Sequence, residues 1–116
     1  MANTFKVKTN AAMSGSANSP DVLYTVPANE RAVVLGLILA NVHTSQVTVS
    51  VQLVSATNDV ETNQTVYLLR KAPIPSGSSL EILSGNKVIV QAGDIIKVEC
   101  DTAAKIDATL SIMEID

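Results

Sequence analysis

The sequence predicts an all-β protein: a two-sheet antiparallel β-sandwich, jelly-roll-like, of about eight strands with an extended N-terminal arm. Three observations lead there. Apolar and polar residues alternate with a period of two, as in Val47, Val49, Val51 and Leu53 against Thr48, Ser50 and Gln52. That is the spacing of a strand with one buried face. Clusters of Gly, Pro, Asn, Asp and Ser break these runs at short intervals, and such residues are turn formers. Helical spacing is sustained nowhere over a useful length.

The chain is organised around residues 31–54. From Val33 to Ala40 every position is apolar or glycine, so both faces of that strand need cover. The strand after it shows one apolar face only. His43-Thr44-Ser45 lies between the two, and the pair reads as two strands folded back on each other. Gly36 inside the first marks a bulge or a close approach of another backbone.

Residues 1–21 read as the arm and its link, and residues 22–116 as the sandwich domain. In the arm, Phe5, Val7 and Thr9 alternate with Lys6 and Lys8. The small polar run from Met13 to Pro20 has the composition of a flexible connection. Such an arm either pairs with an exposed sheet edge of a neighbouring subunit or folds back on its own domain. A strand over 22–26 stops at Pro27, which has no amide hydrogen to donate. Strands follow over 31–42 and 47–54, then a polar loop over 56–63. The strand over 65–70 is broken by Pro73, Pro75 and Gly77. Further strands are predicted over 79–83, 87–91, 95–101 and 106–112, the last with Ile106, Ala108, Leu110 and Ile112 on one face.

Composition bears on partners. Of the 116 residues, 47% are hydrophobic but only 3% aromatic, so the core is aliphatic. Charged residues make up 16%, against a usual ~25%, which leaves apolar surface for another chain to cover. A net charge of −3 gives no electrostatic ground for binding nucleic acid or anionic membrane. Arg70-Lys71 is too short a basic run to change that, and reads as a solvated strand end. Cys100 is the sole cysteine, so no intrachain disulfide forms; the alternation Ile96, Val98, Cys100 places it inward. A start of Met1-Ala2-Asn3-Thr4 suggests no secretory leader, and no apolar run approaches the ~20 residues of a membrane span. Synthesis in a cytoplasm is expected.

No catalytic, cofactor-binding or metal site is expected. His43 is the single histidine, so neither a triad nor a two-histidine metal site can be assembled within one chain. Glu99 and Asp101 share a strand face with Lys97, a charged outer face rather than an acid–base pair. Asp94 after Gly93 is a turn residue. Asn58, Asp59, Glu61 and Asn63 supply oxygen ligands without the spacing of a calcium loop. Asn63-Gln64-Thr65 matches a glycosylation acceptor, idle without secretion. Tyr24 and Tyr67 are expected to close the ends of the core with wet hydroxyls.

Two stretches carry a family resemblance. Leu23-Tyr24-Thr25-Val26-Pro27-Ala28 leads into the apolar strand ending Ala40-Asn41. Pro73-Ile74-Pro75-Ser76-Gly77-Ser78-Ser79-Leu80 precedes Val88-Ile89-Val90-Gln91-Ala92-Gly93-Asp94-Ile95-Ile96. Over roughly residues 22–115 the chain resembles the small β-sandwich virion proteins of tailed bacteriophages, marine and cyanobacterial ones especially. The N-terminal arm departs from that pattern. The resemblance implies a virion structural protein without cofactor, made in the host cytoplasm and placed on the capsid surface. Its partners would be itself, as a homo-oligomer with a homotrimer favoured, and the major capsid protein or other virion proteins, in a decoration or cement role. The alternative is a tail, neck or fibre appendage subunit with a binding role. Candidate inter-subunit contacts are Phe5 and Val7 on the arm, with Val34, Leu37 and Leu39 on the apolar strand.

Overall fold

Period-two alternation sorts the strands into two antiparallel sheets whose apolar faces meet. The computed structural model describes residues 3–13, 15–55, 63–83 and 85–115, and nine strands form among them. The first sheet is ordered β1 (Asn3–Met13), β9 (Ile106–Ile115), β3 (Arg31–Asn41), β6 (Ser79–Glu81), with β7 (Val88–Gln91) also paired to β3. The second is ordered β2 (Asp21–Thr25), β8 (Ile95–Cys100), β4 (Val47–Val54), β5 (Val66–Ile74). Strands β6 and β7 share one edge of β3 and act as a single interrupted strand. Counted so, the orders 1-9-3-6/7 and 2-8-4-5 are those of a jelly roll, the double-sheet arrangement of two Greek keys.

That topology corrects the expected pairing of residues 31–54. Strands β3 and β4 share no ladder; β3 pairs with β9, β6 and β7, and β4 with β5 and β8. The connection carrying His43 crosses between the sheets instead of tipping a hairpin. Asn41, only 3% exposed, builds the crossing. Its Nδ2 donates to the carbonyls of Ser45 and Ile74, both at 2.9 Å, and its Oδ1 accepts the His43 amide at 2.7 Å.

The core lies between the sheets. Val47, Val49 and Val51 of β4, with Ile96, Val98 and Cys100 of β8, meet Leu110 and Ile112 of β9 and Leu37 and Leu39 of β3. The register of β3 on β9 shifts between Val34 and Gly36, the bulge that Gly36 announced. One inserted residue reverses which parity faces inward. Ala32 and Val34 are buried before the shift, Leu37 and Leu39 after it. The Glu81 carboxylate lies over Gly36, where a Cβ would stand 3.6 Å from its Oε1.

Strand β5 also departs from expectation by running on through Pro73 to Ile74. It is an edge strand, where a missing amide hydrogen goes unnoticed. A second bulge at Arg70 and Lys71 keeps the ladder going: Lys71 takes a positive φ of 51°, and its amide donates to Ser50 Oγ at 2.9 Å.

Candidate functional site

Strand β1 extends the first sheet by pairing with β9 from Asn3↔Ile115 to Met13↔Ile106. Residues Asn3 to Ala12 are nevertheless exposed, and only Met13 reaches the core. The register explains this. Thr4, Lys6, Lys8 and Asn10 stand beside the inward residues Glu114, Ile112, Leu110 and Ala108, while Phe5, Val7 and Thr9 share the outward face with Met113, Ser111 and Thr109. The apolar side of the arm therefore faces away from its own core.

On that outer face the cross-strand partners line up. Phe5 lies opposite Met113, Met113 opposite Val33, and Val33 opposite Ile89. The result is an apolar row running across β1, β9, β3 and β7, with Phe5 72% and Ile89 67% exposed at its ends. Val7 and Ile38 extend it along the strands, 61% and 45% exposed. The molecule's accessible surface, 6288 Å², is close to the roughly 6,000 Å² expected of a compact monomer this size. The surface is thus of ordinary extent, and the row is marked by the large hydrophobic side chains it leaves exposed. Among the described residues, Glu81 Oε2 beside this row is buried with no hydrogen-bond partner.

The inward side of the arm is held by a polar cluster. Glu114 continues the inward series of β9 and is 4% exposed. Its Oε1 takes Lys6 Nζ at 2.6 Å and its Oε2 accepts Tyr24 Oη at 2.5 Å, so one carboxylate ties β1 to β9 and β2. Lys8 Nζ stands 6.0 Å from the Tyr24 ring centre. The Lys6 ammonium, then the Tyr24 hydroxyl, hold the Glu114 carboxyl below the ordinary carboxylate range. The same carboxylate raises Lys6. Burial, then the bond to Glu114, raises Tyr24.

The structure redistributes the residues singled out from the sequence. Phe5 and Val7 are on the surface, but Val34, Leu37 and Leu39 are at most 2% exposed and line the sandwich interior. A neighbour cannot reach them. The outward positions of β3 go to Val33 and Ile38 because of the bulge. Tyr24 is not the wet-ended residue expected: only 4% exposed, it gives its hydroxyl to Glu114. Tyr67 is exposed, with the Arg70 guanidinium 5.3 Å from its ring centre.

The remaining candidates sit apart from this surface. Cys100 is inward and fully buried, and burial pushes its thiol up. Asp94 follows Gly93, whose φ is 88°, and its Oδ2 accepts the Gln91 amide at 2.9 Å, as a turn residue does. His43 lends its carbonyl to Ser76 Oγ at 2.7 Å. Asn58, Asp59 and Glu61 lie outside the described residues. An open groove of about 340 Å³ between Leu53 and Val66 on one side and Ile89 and Gln91 on the other is lined by aliphatic, amide and hydroxyl groups together with Asp94. No cluster of three or more His, Cys, Asp or Glu that could hold a metal occurs among the described residues.

Glu114 and the outward row were missed in the sequence for different reasons. A carboxylate continuing the inward series Ile106, Ala108, Leu110, Ile112 is a readable signal, since a buried charge requires a partner. The row depends on sheet order, which one sequence does not carry.

No family model matches the chain, and no curated protein does. Among solved structures it is similar to a chain from Bacillus endospore appendages, which form a novel family of disulfide-linked pili. The TM-score is 0.49 at 16% identity, over 97% of this chain and 84% of that one. A likeness at that level leaves function to be argued from the chain's own surface.

Proposed function

We propose that the protein is a structural subunit of a tailed-phage virion, a capsid decoration or cement protein acting as a homotrimer. The observation that carries the assembly role is the apolar row Phe5–Met113–Val33–Ile89. A sheet that turns such a row to water is stabilised when a neighbour covers it, by roughly 2.5 kcal/mol per 100 Å² of apolar surface before ordering costs. A neighbour that also brings a donor to Glu81 Oε2 removes the penalty of an unpaired buried oxygen. Repetition around a symmetric shell multiplies modest contacts. This role requires no active site. The virion setting rests on the resemblance of residues 22–115 alone.

Two measurements test the reading. Mass spectrometry of purified particles, with heads and tails separated, should find the chain in the head fraction at a fixed ratio to the major capsid protein. Recovery with tails would favour an appendage subunit, and absence from particles would end the virion reading. Light scattering on the purified chain should show self-association that the double substitution Phe5→Ser, Ile89→Ser weakens. A wild-type chain that stays monomeric at high concentration and does not bind capsids would remove the assembly role as well.

A further inference from the structure

We propose that β1 is an exchangeable strand: residues 3–10 of one copy occupy the seat on β9 of a second copy, with residues Ala11 and Ala12 as the hinge. Three observations point there, and none depends on the virion reading.

The first is what holds β1 closed. None of residues 3–12 is buried, so little apolar burial opposes their leaving. They are retained by the ladder to β9, by Lys6 on Glu114 and by Lys8 above Tyr24. A second copy offers the same ladder, the same carboxylate and the same ring. Exchange therefore restores every one of these contacts, the condition under which domain swapping costs little.

The second is the hinge. The register breaks between Asn10 and Met13, where Ala11 and Ala12 stand against Asp107 alone. Ala12 has a φ of 56°, a left-handed conformation that crowds the Cβ of any L-residue other than glycine. Its amide is fastened there by Asp107 Oδ1 at 2.9 Å. The strain belongs to the closed form, because a chain leaving β9 at this point can extend. Met13, 1% exposed, stays in its own core and anchors the arm's root.

The third is selectivity. The inward side of the arm is Thr4, Lys6, Lys8 and Asn10, so it presents no apolar side chain to the core side of an arbitrary sheet edge. Inward-pointing charge blocks indiscriminate edge pairing. A seat that accepts this strand must supply a carboxylate opposite Lys6, and the Glu114–Tyr24 pair of a second copy does so. The occupant is therefore residues 3–10 of this same chain.

The exposed cross-strand pair Thr9↔Thr109 provides the test. One chain carries Thr9→Cys and another Thr109→Cys, and the two are mixed in a thiol–disulfide buffer at high concentration. Exchange predicts a disulfide-linked heterodimer in excess over both homodimers, whereas chance collision gives the three in statistical proportion. Adding Ala12→Pro to both chains should raise the heterodimer yield several-fold, because proline fixes φ near −65° and removes the amide held by Asp107. Ala12→Gly should lower it by relieving the closed form. Statistical proportions on mixing would overturn the proposal, as would an Ala12→Pro chain that remains monomeric with a detached arm. Should Ala12→Pro fail to fold, the mixing experiment on the otherwise unaltered chain decides alone.

Discussion

Lys6 of β1 and Glu114 of β9 meet at 2.6 Å, one 46% and the other 5% exposed at the side chain. Half of the pair is in water and half is in the wall of the sandwich. With β1 seated, the carboxylate is out of water and the arm supplies the cation it requires. Because Glu114 also accepts the Tyr24 hydroxyl, the first strand is tied through one side chain to both sheets.

The attachment of β1 should depend on pH in a direction that the pair fixes. Glu114 is held below its ordinary 4.5, so its contribution is complete above that value and is lost as pH falls through the lower folded pKa. Lys6 is held above its ordinary 10.5, so its contribution is complete below that value and is lost as pH rises through the higher folded pKa. Amide hydrogen exchange, corrected for intrinsic rate, should show β1 protected from neutral pH down to about the ordinary carboxylate range and deprotected below it. Amides of β4 and β8 should hold their protection over the same acid range. Equal protection of β1 at pH 3 and pH 6 would show that the pair does not hold the strand.

Tyr24→Phe should destabilise the fold by about 1–3 kcal/mol, the cost of stranding a buried acceptor. The ring is retained, so packing changes little and the loss reports on the hydroxyl alone. Without that donor the Glu114 carboxyl is less well stabilised as an anion, and acid unfolding should begin at higher pH than in the parent. Urea denaturation at neutral pH and an acid titration followed by circular dichroism measure the two effects. A variant as stable as the parent would mean that water replaces the hydroxyl.

The fold class was legible because the alternation of β4, β8 and β9 needs no knowledge of neighbours. From Val22 onward the spacing also locates each strand, although Pro73, read as a break, lies inside the edge strand β5. What stayed hidden is relational. Residues 31–54 look like a hairpin because a strand, a polar connection and a strand are consecutive; whether the connection turns within a sheet or crosses to the other is decided by long-range pairing. The apolar strand needs two covers, and Val34, Leu37 and Leu39 take theirs from the opposite sheet of their own sandwich, not from a neighbouring chain. Gly36 signalled the bulge but not which parity it reverses. The arm's alternation was visible in Phe5, Val7, Lys6 and Lys8, and the surprise is its sense: the lysines turn inward because Glu114 waits there.

Asn41 should prove as important to the fold as a core aliphatic. Its amide satisfies two carbonyls and its oxygen holds the His43 amide, fastening the β3–β4 crossing to the end of β5. Asn41→Leu leaves three backbone groups without that partner, and the loss should be about 2–3 kcal/mol. Asn41→Asp keeps the acceptor but turns the donor into a second acceptor facing the Ser45 and Ile74 carbonyls, and should cost at least as much at neutral pH. Denaturation midpoints of the two variants give the comparison; a Leu variant within about 0.5 kcal/mol of the parent would mean the crossing holds without its side chain.

The bulge in β3 makes a prediction about adjacent residues that an unbroken strand would not. Before it, Val34 is inside and Val33 outside; after it, Leu37 is inside and Ile38 outside. Uninterrupted alternation from Val34 would instead place Ile38 in the core and Leu37 at the surface. Leu37→Ala should therefore cost about 2–5 kcal/mol, as a large-to-small change in a filled core does. Ile38→Ala, at a position 45% exposed, should cost less than about 1 kcal/mol. Val34→Thr buries a hydroxyl and should cost about 1–3 kcal/mol, with Val33→Thr near neutral in the dilute monomer. Equilibrium unfolding of the four variants separates the two registers. If Ile38→Ala proves costlier than Leu37→Ala, the reversal at Gly36 is absent, and the apolar row on the outer face would lose Ile38 to the core.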